Sequence, residues 1–376
     1  MASPQARFAP AGLFHSALKE RVALHFAGRA SSGQGSDTHG GGRMLRKSAL
    51  LFAWLLASYC AVMFAPVTWW QAALLVVSIA LAQAGIGFNV LHDANHGSYS
   101  GSARLNRALG WLGCDLIGAS SLNWKQRHNV LHHTYTNIEG LDDDLEAGPM
   151  LRFAPWQKRR PVHRLQHLYV WGLFALFPVR WFFIDDFREL FARQIGSRPY
   201  PRPRGAALFW MLLGKAGYYT WAVALPLALH PAWKVGALWL LGSAVLGNTL
   251  ALVFQLAHCT GDAEFHFTSE GQVAGWAEHK VATTVDFAKG SRLLTWYLGG
   301  LNFQVEHHLF PRICHLHYPA LARIVEETCV EHGVKYRSQP TLLAALRANV
   351  RWLRALGAAE APLPATLPAP AVAAAA

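Results

Sequence analysis

His92 and His96 in LHDANHG, His128, His132 and His133 in RHNVLHHTYTN, and His307 and His308 in NFQVEHHLFP form three tight clusters, and His258 stands apart in VFQLAH. On a helix, residues i and i+4 lie about one turn, roughly 6 Å, apart on one face, so His92 with His96, and His128 with His132, can each direct two imidazoles at one ion or at two neighbouring ions. The adjacent His132 and His133 point in different directions and could serve separate ions. Imidazole suits zinc, copper, iron and nickel, yet a catalytic zinc takes about three protein ligands and a water. Eight histidines exceed that need and fit two first-row ions sharing a site. A nitrogen-rich pair of that kind points to dioxygen chemistry at iron. His15, His25, His39, His230, His315, His317 and His332 read as amphipathic anchors or satisfied hydrogen-bonders.

The clusters lie about 215 residues apart in the chain, so they do chemistry together only if the fold brings them to one place. The chain of 376 residues is 52% hydrophobic and 15% charged, with a mean hydropathy of +0.17 and 15 tryptophans, a membrane composition. A helix needs about 20 apolar residues to cross the hydrocarbon core. Four stretches are expected to do so: Ser48 to Ala65, Trp69 to Leu91, Ala206 to Leu229, and Val235 to Ala257. Pro66 to Thr68 joins the first two and His230 to Lys234 the last two, which makes two helical hairpins. The segment from His92 to Arg204 carries 15 Lys/Arg and the first 47 residues carry seven, whereas the hairpin tips carry only Lys234. The positive-inside rule therefore puts the long segment and both termini in the cytoplasm, with all eight histidines at one membrane face. The apolar patches Ala108 to Leu122 and Leu168 to Ile184 are read as interfacial or buried helices. The expected fold is thus an all-α integral membrane protein, four transmembrane helices in two hairpins under a cytoplasmic helical cap that carries the histidines. Residues 1–47 form a cytoplasmic segment with a Gly/Ser-rich tether from Ser31 to Gly42, 48–356 the catalytic domain, and 357–376 a disordered Ala/Pro-rich tail.

The order HxxxH, HxxxHH, QxxHH between two hairpins resembles the three-histidine-box membrane fatty-acid desaturases. The strings HDANHGSYS, WKQRHNVLHHTYTNIEGLDDD and GGLNFQVEHHLFPRICHLHYP resemble the bacterial and cyanobacterial acyl-lipid branch, including its front-end (Δ6-type) members. The resemblance covers roughly Leu81 to Leu356. It implies a multi-pass protein, of a bacterial inner membrane, whose di-iron centre uses O2 and two electrons to remove hydrogen from neighbouring methylenes of a lipid acyl chain. It also implies iron ligation by His92, His96, His128, His132, His133, His307 and His308, with His258 matching a further histidine of some relatives. Gln304, where other branches have a histidine, and Asn302 are expected to support the ligands. Phe254 stands where the acyl-CoA branch has an asparagine. Asp93, Glu306 and the Asp142–Asp144 run could orient imidazoles, although the run reads equally well as a solvated loop. Lys215 inside the third span is costly unless it faces protein or snorkels, and a contact with a substrate headgroup is the other reading.

The sequence contains no HPGG haem motif, and 47 residues leave no room for a fused cytochrome b5 domain. Electrons are expected from a separate carrier, a ferredoxin or free cytochrome b5. A net charge of +12 distributed between apolar segments fits anionic lipid surfaces rather than nucleic acid. The five cysteines form no CxxC pair, so no disulfide framework or zinc ribbon is implied. Asp in HDANH occupies the place of a metalloprotease's glutamate, and histidines at helix ends rather than mid-membrane argue against a transporter. Hydroxylation of an acyl chain or other lipid on the same histidine scaffold remains the alternative reaction.

Overall fold

The computed structural model describes residues 6–32, 37–196, 198–268 and 272–358. Helix α1 (Leu13–Ser31) precedes a first hairpin of α2 (Gly41–Phe64) and α3 (Trp69–Ile86), and a π-helical turn, Gly87–Leu91, carries α3 directly into α4 (His92–His96). The uninterrupted helical rod from Trp69 to His96, α2, and α13 (Ala232–His258) are long and apolar enough to cross a membrane. Their outer faces carry bare apolar side chains such as Leu56, Leu74 and Leu240. In water such a surface would be unfavourable; in lipid it is the matching solvent. The protein is a multi-pass membrane protein.

Two spans differ in detail from their sequence outlines. Helix α2 begins at Gly41 rather than Ser48, so the helix takes up Gly41 and Gly42 of the expected tether, of which residues 33–36 lie outside the described residues. The expected third span is helical throughout, as α11 (Ala206–Tyr219), a π turn at Thr220–Ala224 and α12 (Leu225–Leu229). It is not among the helices apolar enough to pass by composition, because Lys215, Tyr218, Tyr219 and Pro226 dilute its hydropathy. A fourth candidate arises instead from two bent pieces, Pro161–Ala175 and Phe177–Ala192, which meet at 50° and qualify only together as a broken span or re-entrant loop. They contain α8 (Gln166–Ala175), α9 (Phe177–Arg180) and α10 (Asp186–Ala192), and cover the patch read as interfacial. Pro178, just after the break, accounts for the bend.

The hairpins touch at their tips, where the Trp69 and Trp233 rings lie 5.6 Å apart and His230 Nε2 donates to the Met63 carbonyl at 3.2 Å. Between them lies a cavity of about 280 Å³ walled by Val62, Ile79, Gln83, Tyr218, Trp239 and Leu246.

At the opposite ends of the spans the remaining elements form the cap. They are α5 (Ala103–Ile117), α6 (Ser121–Lys125), the π turn Gln126–His132 leading into α7 (His133–Tyr135), α14 (Trp276–Thr283), α15 (Arg292–Tyr297), α16 (Gln304–Leu309), α17 (Tyr318–Glu331) and α18 (Leu342–Gly357). Helix α1 belongs to the same body: Phe14 and Leu18 pack with Val281, Leu309 and Val325, and Val22 and Phe26 pack with Phe303 and Tyr318. Helix α18 closes the far side through Trp352, Leu353 and Leu356 against Phe153, Phe174 and Phe265. Beyond it, most of the Ala/Pro-rich tail, residues 359–376, lies outside the described residues.

Lys215, the one charged residue in the expected spans, faces protein. Its ammonium lies 2.6 Å from Asp186 Oδ2 and donates to the Gly118 carbonyl at 2.6 Å, with both side chains almost wholly buried. Asp186 in turn accepts from the Ser120 N–H at 2.9 Å and from the Asn123 amide at 3.1 Å. The pair therefore fastens α11 to the start of α6, the element that leads to His128, and leaves no role for Lys215 at a substrate headgroup. Removing one member of such a pair strands the other charge and costs about 3–5 kcal/mol, whereas replacing both with apolar groups can be nearly neutral. Lys215→Met and Asp186→Leu are each expected to lower the unfolding midpoint in detergent strongly. The double variant should lose clearly less than their sum, and strict additivity would show that the two groups do not act as a pair.

Candidate metal centre

Each histidine cluster is delivered by a different local device. The π turn at Gly87–Leu91 inserts an extra residue into the rod and sets the face on which His92 and His96 emerge. Gly97, at φ 78°, ends that helix immediately afterwards. His128 and His132 lie on a π rather than an α turn, which brings His133, at i+5, over His128 with 3.2 Å between their Nε2 atoms. His307 and His308 sit on α16, whose preceding loop docks on the first rod. A Cβ at Gly299, φ 58°, would meet the Phe88 carbonyl oxygen at 2.4 Å, so only glycine allows this approach. Asn89 completes the joint by donating to the Tyr297 carbonyl at 2.8 Å. His258 is the last residue of α13.

All eight histidines converge. The ligand atoms of His92, His96, His128 and His307 lie within 4.8 Å of one another, as do those of His132, His258 and His308. His133 joins His307 and His308 in a third group and so links the two foci. Ring centroids across the boundary stay close, at 4.5 Å for His133 and His307 and 5.3 Å for His307 and His308.

Four of the outward-facing ring nitrogens have partners. His132 Nδ1 is 3.1 Å from both Asp142 oxygens, His307 Nδ1 is 3.2 Å from the Tyr318 hydroxyl, and His258 Nδ1 donates to the Thr283 carbonyl at 3.4 Å. Thr136 Oγ1 donates to the His132 carbonyl at 2.8 Å, so at 3.3 Å from His308 Nδ1 it must accept, which assigns the proton of His308 to Nδ1. Lys280, wholly buried on α14, also donates to Thr136 Oγ1 at 3.0 Å, and burial, opposed by Asp142, pushes its ammonium down to about 7.

Inward, the reverse holds. His92 Nε2, His96 Nε2, His132 Nε2, His307 Nε2 and His308 Nε2 are buried with no hydrogen-bond partner among the described residues. Leaving one buried polar group unsatisfied costs about 1–3 kcal/mol. Five converging lone pairs are therefore an arrangement that a metal, rather than more protein, completes. Burial and the neighbouring imidazoles push His133, His307 and His308 well below their ordinary pKa, and burial, opposed by Asp144, pushes His128 down to about 3. These rings stay neutral near pH 7, the form that ligates metal. His132 is the exception, because the charges of Asp142 and Asp144 outweigh its burial and raise it.

The carboxylates divide by role. Asp142 is buried against His132 and Asp144 lies 3.8 Å from His128, so this part of the acidic run is not a solvated loop. Although burial opposes its ionisation, the His128 and His132 rings and Arg127 hold Asp144 down at about 2. Asp143 pairs with Arg127 at 3.3 Å instead. Glu306 turns away from the histidines to accept from the Tyr336 hydroxyl at 3.1 Å. Of the two amides expected to support the ligands, the structure brings in only one. The Gln304 side-chain amide lies 3.1 Å from His258 Nε2, the nitrogen His258 would offer to an ion, and its Oε1 has no partner, whereas Asn302 donates to Thr295 Oγ1 at 3.0 Å and holds the loop. Asn302 is misplaced by sequence reading because two positions in a tight turn reverse a side chain's direction. Phe254 packs on the His132 and His258 rings at 5.3 and 5.0 Å. Sequence reading missed Thr136, Tyr318 and Thr283: the first two carry no signal beyond nearness to a cluster, and Thr283, 25 positions from His258, carries none.

A family profile described as "Fatty acid desaturase" matches residues 68–340. The chain is 36% identical over 354 residues to a sn-1 linoleoyl-lipid 6-desaturase of Synechocystis sp., covering 92% of this chain and 96% of the relative. It is 38% identical to a protein of the same description from Arthrospira platensis, over 83% of this chain and 85% of that one. It is 35% identical to an acyl-lipid (8-3)-desaturase of Physcomitrium patens, over 92% and 72% respectively.

Because Asp142 orients and charges the outer nitrogen of His132, Asp142→Asn is expected to weaken metal binding about 10–100-fold. Asp143→Asn, which disturbs only the pairing with Arg127, should leave it nearly unchanged. Chelator competition on the purified protein reads both, and equal losses would remove the distinction drawn between the two carboxylates.

Proposed function

The chain belongs to the fatty acid desaturase family and is an oxidoreductase, and on that premise we propose that it is a front-end acyl-lipid desaturase working through two iron ions. The observation that carries this reading is the convergence of eight histidines, five of whose inward nitrogens lack partners while the outer nitrogens of His132, His258, His307 and His308 are engaged. In it, the group of His92, His96, His128 and His307 would hold one ion and that of His132, His258 and His308 the other, with His133 belonging to the group that links them. Gln304, beside His258 Nε2, would steady that ring. Two ions suit a reaction in which an acyl –CH2–CH2– unit, O2, two electrons and two protons become –CH=CH– and two waters. When bound, the iron pair supplies the dioxygen-derived oxidant that an unactivated C–H bond demands, since acid or base groups alone cannot break it.

The protein's own part is position and dryness. Phe254 and Trp124 pack on the imidazoles, the latter 4.4 Å from the His128 ring. The cavity between the hairpins is apolar, and its inner wall at Gln83 lies nine residues, about 13 Å of helix, before His92. That distance suits the methyl end of a long acyl chain whose reacting carbons lie at the histidines. The relatives' descriptions as linoleoyl-lipid 6-desaturases favour a glycerolipid-borne substrate and a new double bond between an existing one and the carboxyl end. Electrons come from a separate carrier, a ferredoxin or free cytochrome b5. The basic segments between the spans favour a cytoplasmic histidine cap and cytoplasmic termini, with 48–356 as the catalytic domain.

Expression in a host fed linoleate, followed by gas chromatography with double-bond location, is expected to give a C18 product unsaturated at position 6. The purified protein should carry close to two irons per chain. A hydroxylated acyl chain without new unsaturation would replace this assignment with a hydroxylase. A reporter in the His230–Lys234 turn should read external, and a cytoplasmic reading there would reverse the orientation.

A further inference from the structure

One buried chain of charged groups takes no part in the centre described so far. Lys47, on α2 and only 6% exposed, places its Nζ 2.9 Å from His315 Nε2. His315 Nδ1 lies 2.8 Å from Asp93 Oδ2, and the same oxygen accepts the His315 backbone N–H at 3.4 Å. The other oxygen, Asp93 Oδ1, stands 3.9 Å from His92 Nδ1. The residues span 268 positions of sequence and join the first span, the His92 turn and the segment after α16. His315, read from sequence as a lone satisfied ring, is the middle member.

The direction of each bond follows from donor chemistry. An ammonium only donates, so His315 Nε2 accepts from Lys47 and its Nδ1 proton goes to Asp93. The result is a cation, a neutral imidazole and an anion in series, all buried. Cys314 lies in the same group, but with one ring nitrogen protonated and the other accepting from an ammonium, His315 offers no lone pair to an ion. The group is therefore no third metal site.

The outer nitrogen of His92, like that of His133, lacks a hydrogen bond, and for His92 the Asp93 oxygen is the acceptor facing it. With Oδ2 clamped by two N–H groups of His315, the direction of Oδ1 is fixed. We propose that Lys47 and His315 are positioning residues that act through Asp93 to orient His92 and the helical turn it shares with His96. This inference rests on the reading that His92 and His96 hold one of the two ions. It makes the first focus dependent on two residues outside every histidine box, and the second focus independent of them.

The test uses the full chain in detergent with His315→Leu, His315→Gln and Lys47→Met. The readouts are chelator competition for each of the two ions, the visible absorption of the cobalt(II)-loaded protein, the melting temperature, and kcat and KM. His315→Leu is expected to weaken one ion about 10–100-fold, leave the other at wild-type affinity, perturb the cobalt spectrum, and lower kcat with KM unchanged. Glutamine, which can donate and accept, should restore most of each signal, and Lys47→Met should fall between. If His315→Leu binds both ions as wild type does, the proposal is wrong. If it loses both ions together with its melting temperature, and His315→Gln does the same, the chain is merely structural and the proposal again fails. A wild-type protein that holds fewer than two ions would overturn the proposed function and this inference alike. An intact wild type with an unaffected His315→Leu overturns only the latter.

Discussion

Eight imidazoles packed into one buried space cannot be stable as ordinary core residues, and most of the cap is arranged around that constraint. Each ring has two nitrogens, and burial demands a partner for both. Asp142, Tyr318, Thr136 and the Thr283 carbonyl satisfy four outer nitrogens from four different segments. The inner nitrogens are left for a ligand that only all the segments together enclose. Because those partners fix ring direction, the site is organised before any ion arrives, which lowers the reorganisation that binding would otherwise require.

Holding the segments in register falls to groups that look out of place in a membrane protein. Lys215 with Asp186 ties α11 to the element that leads to His128, and Arg127, between Gln126 and His128, bonds both Asp143 and Glu189. Buried ion pairs contribute little net stability against an apolar core of the same shape. What they offer is direction: apolar packing tolerates sliding, whereas a carboxylate held by several donors does not. The π turns serve the same end from within the backbone, rotating the histidines that follow them without breaking the helix.

The membrane supplies the remaining condition. Spans that expose Leu56, Leu74 and Leu240 to lipid leave their inner faces to a tight seam of small residues, such as Ala80 and Ala84 on α3. The rigid rod from Trp69 to His96 then carries the order of the bilayer straight into the metal centre, since its first turns lie at the hairpin tip and its last turn bears two of the ligands. The cavity between the hairpins opens along that same rod.

The sequence by itself determined which histidines gather, the membrane class and the helical architecture, because residue type, the i+4 spacing and apolar run length are local properties. Two spans needed adjustment: α2 reached back to Gly41, and a bent pair from Pro161 to Ala192 competes with 206–229, whose apolarity Lys215 lowers. Only the tertiary structure decided the partition of the histidines into two foci, since that depends on π turns and on the Gly299 approach to Phe88, neither of which a periodicity shows. It likewise decided which polar neighbours matter. Gln304 and Asn302 are equally plausible in sequence, yet one faces His258 and the other Thr295; Asp142 and Asp143 are adjacent, yet one meets His132 and the other Arg127. His315 looked idle because its partners are 222 and 268 positions away. A side chain's direction is set by the backbone's path through three dimensions, and contacts between residues so distant in sequence are fixed only when the whole chain packs.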